Sequence, residues 1–143
     1  MSQTKNISVQ NAKNLLDHGY LYIDVRSEPE FERAHVPGAL NVPLNHSTPQ
    51  GMVANPEFVS VMEAGFAKDA KLVLGCKSGA RSKRALALLE QAGFTELVEM
   101  APGFEGSRDA FGRPLKGWLG EGLPTEAGKP NGQAYADVKQ RTP

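Results

Sequence analysis

Cysteine is nearly absent from this sequence, since Cys76 is the only one among 143 residues. A single cysteine cannot form an internal disulfide, and it cannot supply the several thiolates of a structural zinc site. The absence of disulfides is typical of a reducing compartment, so we predict a cytoplasmic protein. The histidines, His18, His35 and His46, lie far apart without metal-ligand spacing, and we interpret each as a surface or structural residue. The sequence therefore predicts neither a metal nor a cofactor.

Long apolar runs and an excess of charge of one sign are also missing. No window approaches the ~18 consecutive apolar residues of a membrane helix, and the first residues lack the charged-then-apolar order of a signal peptide. The 16 basic and 16 acidic residues give a formal net charge of zero. This balance provides no long-range attraction to nucleic acid or to an anionic membrane, so we expect neither as a partner.

Strand-like and helix-like patterns alternate along the chain, which is typical of an α/β domain with a mainly parallel sheet. The predicted strands are residues 7–9, 21–25, 39–42, 71–74 and 96–100, and helices are predicted to follow Ser8, Ser27 and Asn55 and to start at about Ser82. Residues 43–52 are polar and turn-rich. We place one domain at 6–126, and we interpret the polar residues 127–143 as a loosely ordered tail.

The segment around Cys76 carries the chemistry that the residues themselves suggest. A buried strand leads into Cys76, a short loop to Arg81 follows, and a helix comes next. Ligands bind at the carboxyl ends of strands in open α/β sheets, and a helix start presents unpaired N–H groups and the positive end of its dipole. Lys77 and Arg81 add cations, and Gly79 allows a tight turn. This setting favours a thiolate over a thiol and forms an anion site.

The opposing interpretation of Cys76 is a buried, inert cysteine at a strand end. We favour a reactive, partly exposed thiol, because an inert one needs no adjacent lysine, glycine, arginine and serine. A thiolate in an anion cradle is able to attack the outer sulfur of thiosulfate, release sulfite and hold the sulfur as a persulfide. Cyanide or a thiol would then remove that sulfur in a double displacement.

Two motifs in this chain resemble those of the rhodanese family. Residues 75–82, Gly-Cys-Lys-Ser-Gly-Ala-Arg-Ser, are similar to the family's active-site loop, Cys-x-x-Gly-x-Arg-Ser. Residues 23–31, followed by 35–39, are similar to its amino-terminal signature, and Gly-Leu-Pro at 122–124, after Trp118, is similar to the end of its domain. The resemblance implies a rhodanese-like fold, with a five-stranded, mainly parallel sheet and helices on both faces.

The resemblance also implies a thiosulfate sulfurtransferase that carries a persulfide on Cys76. Its expected partners are a small anionic sulfur donor and a thiol or cyanide acceptor, and a protein donor or acceptor stays open. The implied cradle for the sulfur substrate consists of Lys77, Ser78, Gly79, Ala80, Arg81 and Ser82. Asp24 and Arg26 fall in the amino-terminal motif, and we interpret them as supporting residues, with Asp24 accepting loop hydrogen bonds and Arg26 pairing with a carboxylate such as Glu30. His35 is interpreted as fixing a turn.

The chain departs from the family pattern at residues 107–117, which look like an insertion before Trp118. This insertion is interpreted either as a flap or partner surface, or as a surface loop of no chemical consequence.

Three rival functions use the same cysteine. The first is a persulfide carrier or sulfur-relay module without turnover. The second is a cysteine phosphatase or arsenate reductase, disfavoured because four residues separate Cys76 from Arg81, one fewer than in the related dual-specificity cell-cycle phosphatases, and because no general acid is evident. The third is a redox sensor, which we interpret as a side reaction of an activated thiolate.

Overall fold

The computed structural model describes residues 6–77 and 80–143. The strands are β1 (Asn6–Ile7), β2 (Leu21–Asp24), β3 (Leu40–Asn41), β4 (Asn45–Thr48), β5 (Gly51–Ala54), β6 (Leu72–Gly75), β7 (Leu97–Met100), β8 (Ser107–Arg108) and β9 (Pro114–Leu115). The helices are α1 (Val9–Asp17), α2 (Glu28–Arg33), α3 (Phe58–Gly65), α4 (Ala80–Gln91) and α5 (Tyr135–Val138). No helix in this part of the chain is long and apolar enough to cross a membrane.

A five-stranded sheet in the order β1-β7-β6-β2-β3 forms the centre of the molecule, and each neighbouring pair is parallel. The central strand β6 alternates between the two faces. Leu72 and Leu74 pack into one core with α3 and α4, whereas Val73 packs into the other with α1 and Trp118. Both faces are therefore covered, as parallel sheets require, and the predicted sheet with helices on both faces is confirmed.

Polar residues in the predicted positions begin the first two helices. The Ser8 side chain accepts a hydrogen bond from the Asn11 N–H at 3.1 Å. The Glu30 carboxylate accepts from both the N–H and the hydroxyl of Ser27, at 3.1 and 2.9 Å. These two hydrogen bonds are part of a capping box. They fix the position of Glu30 beside the segment that follows β6.

Two segments in which no strand is predicted each contain a short hairpin. In the first, β4 and β5 pair as an antiparallel hairpin, and β5 begins at Gly51, where φ is +105°. The insertion also contains a hairpin, β8–β9. Both sets of strands are short and largely exposed, so they lack the apolar pattern from which the sheet strands were predicted. Helix α4 begins at Ala80, two residues before the predicted start.

The polar tail is not loosely ordered where α5 lies. Tyr135 and Val138 are buried in the same core as α3 and α4. The Tyr135 hydroxyl accepts from the Asn55 side chain at 3.0 Å, and the Arg141 guanidinium donates to the Gly65 carbonyl at 3.1 Å. Composition misled the prediction here, since two apolar side chains and a few hydrogen bonds are enough to hold the segment.

Candidate active site

Cys76 follows the carboxyl end of β6, four residues before the first residue of α4. Its Sγ accepts a hydrogen bond from the Ser82 N–H at 3.2 Å, and it lies 3.6 Å from the Ser82 hydroxyl oxygen. The predicted meeting of sulfur and helix-start amide is therefore present at Ser82. The prediction of a partly exposed thiol is wrong, because Cys76 is only 1% exposed and forms part of the core.

The other cradle residues differ in their surroundings. Lys77 and Ala80 are exposed, and Ser82 is fully buried. The Lys77 carbonyl accepts from the Glu105 N–H at 2.9 Å, which joins the loop to the segment that precedes the β8–β9 hairpin. Ser78 and Gly79, the remaining residues of the predicted cradle, lie outside the described residues.

Arg81 forms an ion pair with Glu30. Its guanidinium donates to both Glu30 carboxylate oxygens, at 2.7 and 3.0 Å, a two-pronged geometry that is strong and directional. Burial disfavours the charged form of Glu30, but the hydrogen bonds from Arg81 and Ser27 outweigh it, and the pKa of Glu30 falls to about 2. The positive charge of Arg81 is thus largely balanced, and its visible role is to tie the start of α4 to α2.

Asp24 and Arg26 form a buried pair of their own at the carboxyl end of β2. Arg26 donates to the two Asp24 oxygens at 3.0 and 2.7 Å, and also to the Ala34 carbonyl at 2.7 Å. Its guanidinium carbon lies 4.3 Å from the centre of the Phe104 ring. Arg26 therefore pairs with a nearby carboxylate as predicted, but the partner is Asp24 and not the suggested Glu30. Both residues join loops around the site.

His35 fixes a turn, as predicted. It is fully buried and stacks on the Phe31 ring at a centroid distance of 3.7 Å. Its Nδ1 lies 2.7 Å from the Phe31 carbonyl, and its Nε2 lies 3.1 Å from a Glu126 carboxylate oxygen.

Sequence reasoning missed Glu99, which lies within the buried strand β7. The Ser82 hydroxyl donates to Glu99 Oε2 at 3.4 Å, and the Asn6 side chain donates to Oε1 at 3.1 Å. Burial raises the pKa of Glu99, and the hydrogen bond from Asn6 and the charge of Lys83 oppose this only in part. The available signal was a carboxylate inside an otherwise apolar strand run, Leu97-Val-Glu-Met100.

A cavity of about 670 Å³ opens beside these groups. Its lining includes Ala80 and Lys83 of α4, Glu99 of β7, and Ser107, Leu115 and Lys116 of the insertion. The insertion therefore forms one wall of a cavity next to the loop. Its role as a flap or partner surface stays a prediction.

A family model described as the rhodanese-like domain matches residues 8–110. The chain belongs to this family. The resemblance and the fold class inferred from the sequence are thereby confirmed.

Named relatives of this rhodanese-like domain include sulfurtransferases. This chain is 35% identical over 122 residues to the chloroplastic thiosulfate sulfurtransferase 16 of Arabidopsis thaliana, and the match covers 85% of this chain and 92% of that protein. It is 34% identical over 110 residues to the mitochondrial protein HIGH ARSENIC CONTENT 1 of the same plant, covering 77% of this chain and 65% of that longer protein. Among solved structures, Rv0390 from M. tuberculosis superposes with a TM-score of 0.72 at 27% identity, over 89% of this chain and 100% of that one.

Proposed function

We propose that this rhodanese-like domain is a sulfurtransferase that moves a sulfane sulfur from thiosulfate, or a related anionic donor, to cyanide or a thiol through a persulfide on Cys76. The observation that carries the proposal is the 3.2 Å hydrogen bond from the Ser82 N–H to Sγ at the start of α4. A donor at that position stabilises negative charge on the sulfur. The name of thiosulfate sulfurtransferase 16 supports the choice of donor.

The proposed reaction has two displacement steps. The Cys76 thiolate attacks the outer sulfur of thiosulfate, a new S–S bond forms, and sulfite leaves with the electron pair of the bond that breaks. The persulfide anion stays on Cys76. Cyanide then attacks the outer sulfur, thiocyanate leaves, and the thiolate is restored. Because the enzyme is modified between the steps, ping-pong kinetics are expected.

The charges around the loop suggest how an anionic donor approaches. Lys77 is exposed beside Cys76, so its ammonium is available to attract thiosulfate. The charge of Arg81 is already shared with Glu30, which supports Lys77 as the cation of the first encounter with the donor and Arg81 as a residue that holds the start of α4 in place.

Intact mass spectrometry tests the proposal. Incubation with thiosulfate is expected to add one sulfur atom, which cyanide removes as thiocyanate, and Cys76→Ser is expected to gain nothing. Because Cys76 is the only cysteine, the added mass has one possible thiol site. If wild type gains no sulfur from thiosulfate but gains it from a protein persulfide, the molecule is a carrier without turnover on thiosulfate.

A second candidate function is supported by one relative. The name of HIGH ARSENIC CONTENT 1 contains arsenic, and a reactive thiol in an anion cradle is also suited to arsenate. Assays of arsenate reduction and of p-nitrophenyl phosphate hydrolysis decide between this candidate and sulfur transfer: either activity, without persulfide formation, would replace the first proposal.

The cytoplasmic location also stays a prediction, since the two plant relatives are named chloroplastic and mitochondrial.

A further inference from the structure

The Ser82 hydroxyl lies between two groups that carry negative charge when ionised. Its oxygen is 3.6 Å from Cys76 Sγ and 3.4 Å from Glu99 Oε2. All three residues are buried, with Cys76 at 1%, Ser82 at 0% and Glu99 at 3% exposure. We propose that Glu99 is a positioning residue which acts through Ser82 to set the pH at which Cys76 becomes reactive. The proposal rests on the proposed function of Cys76 as the sulfur carrier.

The direction of the hydrogen bonds gives the coupling its sign. A Cys76 thiol donates to the Ser82 oxygen, and the Ser82 hydroxyl donates onward to the Glu99 carboxylate. Once the thiol has lost its proton, the sulfur becomes an acceptor, and the single hydroxyl proton of Ser82 cannot satisfy both anions fully. An ionised Glu99 therefore favours the thiol, whereas a neutral group at position 99 leaves the hydroxyl proton to the thiolate.

The surroundings of Glu99 do not cancel its charge. Within the described ranges, the charged groups that face Glu99 are Lys83 of α4 and, across the cavity, Lys116 of the insertion, while Asn6 of β1 donates a neutral hydrogen bond. The titratable groups that interact electrostatically with Cys76 include Tyr22 and Arg81. The charge of Lys83 favours ionisation of Glu99, but burial dominates and raises its pKa. The hydrogen bonds from Asn6 and Ser82 also favour the ionised form of Glu99, which is the form that competes with the sulfur for the Ser82 proton.

The test is the pH dependence of alkylation by iodoacetamide, which reacts with the thiolate of the sole cysteine. Glu99→Gln keeps the shape and replaces the acid by a neutral amide. We expect it to move the midpoint of the alkylation profile down by about one pH unit, the lower end of the effect of a nearby like charge. The matched control is Glu96→Gln, an exposed carboxylate directly before the same strand, which should leave the midpoint in place.

The route through Ser82 is tested in a second background. In Ser82→Ala, the further change Glu99→Gln should move the midpoint by less than half as much, because the bridging hydroxyl is gone. Glu99→Asp, which keeps the charge but shortens its reach, should fall between wild type and Glu99→Gln, and it gives a second measurement should the amide variant fail to fold.

Coincident profiles for wild type and Glu99→Gln would overturn the proposal, and an undiminished shift in the Ser82→Ala background would overturn the route through Ser82. Alkylation requires no sulfur donor, so its outcome is separate from that of the persulfide assay. A protein that alkylates as expected but takes no sulfur from thiosulfate would contradict the proposed function and leave the Glu99 coupling supported.

Discussion

Glu30 contributes to stability in a way that depends on pH. Burial opposes its ionisation, but the hydrogen bonds and charge of Arg81, together with Ser27, lower its pKa from 4.5 to about 2. A carboxyl whose pKa is lowered by folding stabilises the fold above its unfolded-state value, and this contribution is lost as the pH falls through the folded-state value. The shift corresponds to about 3 kcal/mol, present above pH 4.5 and lost toward pH 2.

Urea unfolding at a series of pH values tests this contribution. The free energy of unfolding of wild type should exceed that of Glu30→Gln by the full amount above pH 4.5, and the two should converge toward pH 2. The control is Glu63→Gln, which removes a half-exposed ion pair with Lys68 and should change stability by less than about 1 kcal/mol. A constant difference between wild type and Glu30→Gln over this range would contradict the lowered pKa.

Arg81 and Glu30 are also expected to act as one unit in sulfur transfer. If Arg81 works by holding the start of α4 against α2, then Arg81→Ala and Glu30→Gln should slow persulfide formation to a similar extent, and the double variant should be little worse than either. Single-turnover kinetics with thiosulfate measure this step. If Arg81→Ala loses much more than Glu30→Gln, and mainly through weaker thiosulfate binding, Arg81 contacts the donor directly.

Elements with a continuous apolar pattern could be predicted from the sequence, and those without one could not. Strands β2, β6 and β7 were found within a residue or so, because they are buried on both faces and read as short apolar runs. The hairpin β4–β5 was missed because its strands are largely exposed. The same physics limited the site: the loop after Cys76 has a local motif, whereas Glu99 meets Ser82 only through tertiary packing across 17 residues.

The backbone at the base of the insertion packs closely around Gly117. A Cβ at Gly117 would lie 2.2 Å from the Gly103 carbonyl oxygen and 2.3 Å from the Gly106 nitrogen, and backbone atoms cannot move aside cheaply. We expect Gly117→Ala to destabilise the protein by about 1–3 kcal/mol and to displace the wall of the cavity beside Glu99. Thermal unfolding measures the first effect.

A matched control distinguishes this close approach from a general effect of alanine. At Gly65, a Cβ would be in ordinary contact with Arg141 at 3.5 Å, so Gly65→Ala should be tolerated. Equal losses in the two variants would show that the contact at the base of the insertion is unimportant.

At the scale of the whole molecule, the final segment completes the core on the α3–α4 side of the sheet. Helix α5 contacts β3, and the Gln133 carbonyl accepts from the Asn41 N–H at 2.9 Å at the sheet edge. Tyr135 is only 4% exposed, and its hydroxyl bonds to Asn55, which also donates to the Pro43 carbonyl at 2.9 Å. One aromatic side chain thus connects the tail, the β4–β5 hairpin and the start of α3.

Tyr135→Ala should therefore cost about 3–5 kcal/mol in the free energy of unfolding, the range for removing a buried aromatic ring. Tyr135→Phe keeps the ring and removes only the hydrogen bond to Asn55, so its cost should be about 1–2 kcal/mol. Gln140→Ala, an exposed change in the same segment, serves as the control. Urea unfolding of the four proteins gives the comparison. If Tyr135→Ala and Gln140→Ala are equally stable, residues 135–143 make no energetic contribution to the core, and the domain ends near residue 126 as the composition suggested.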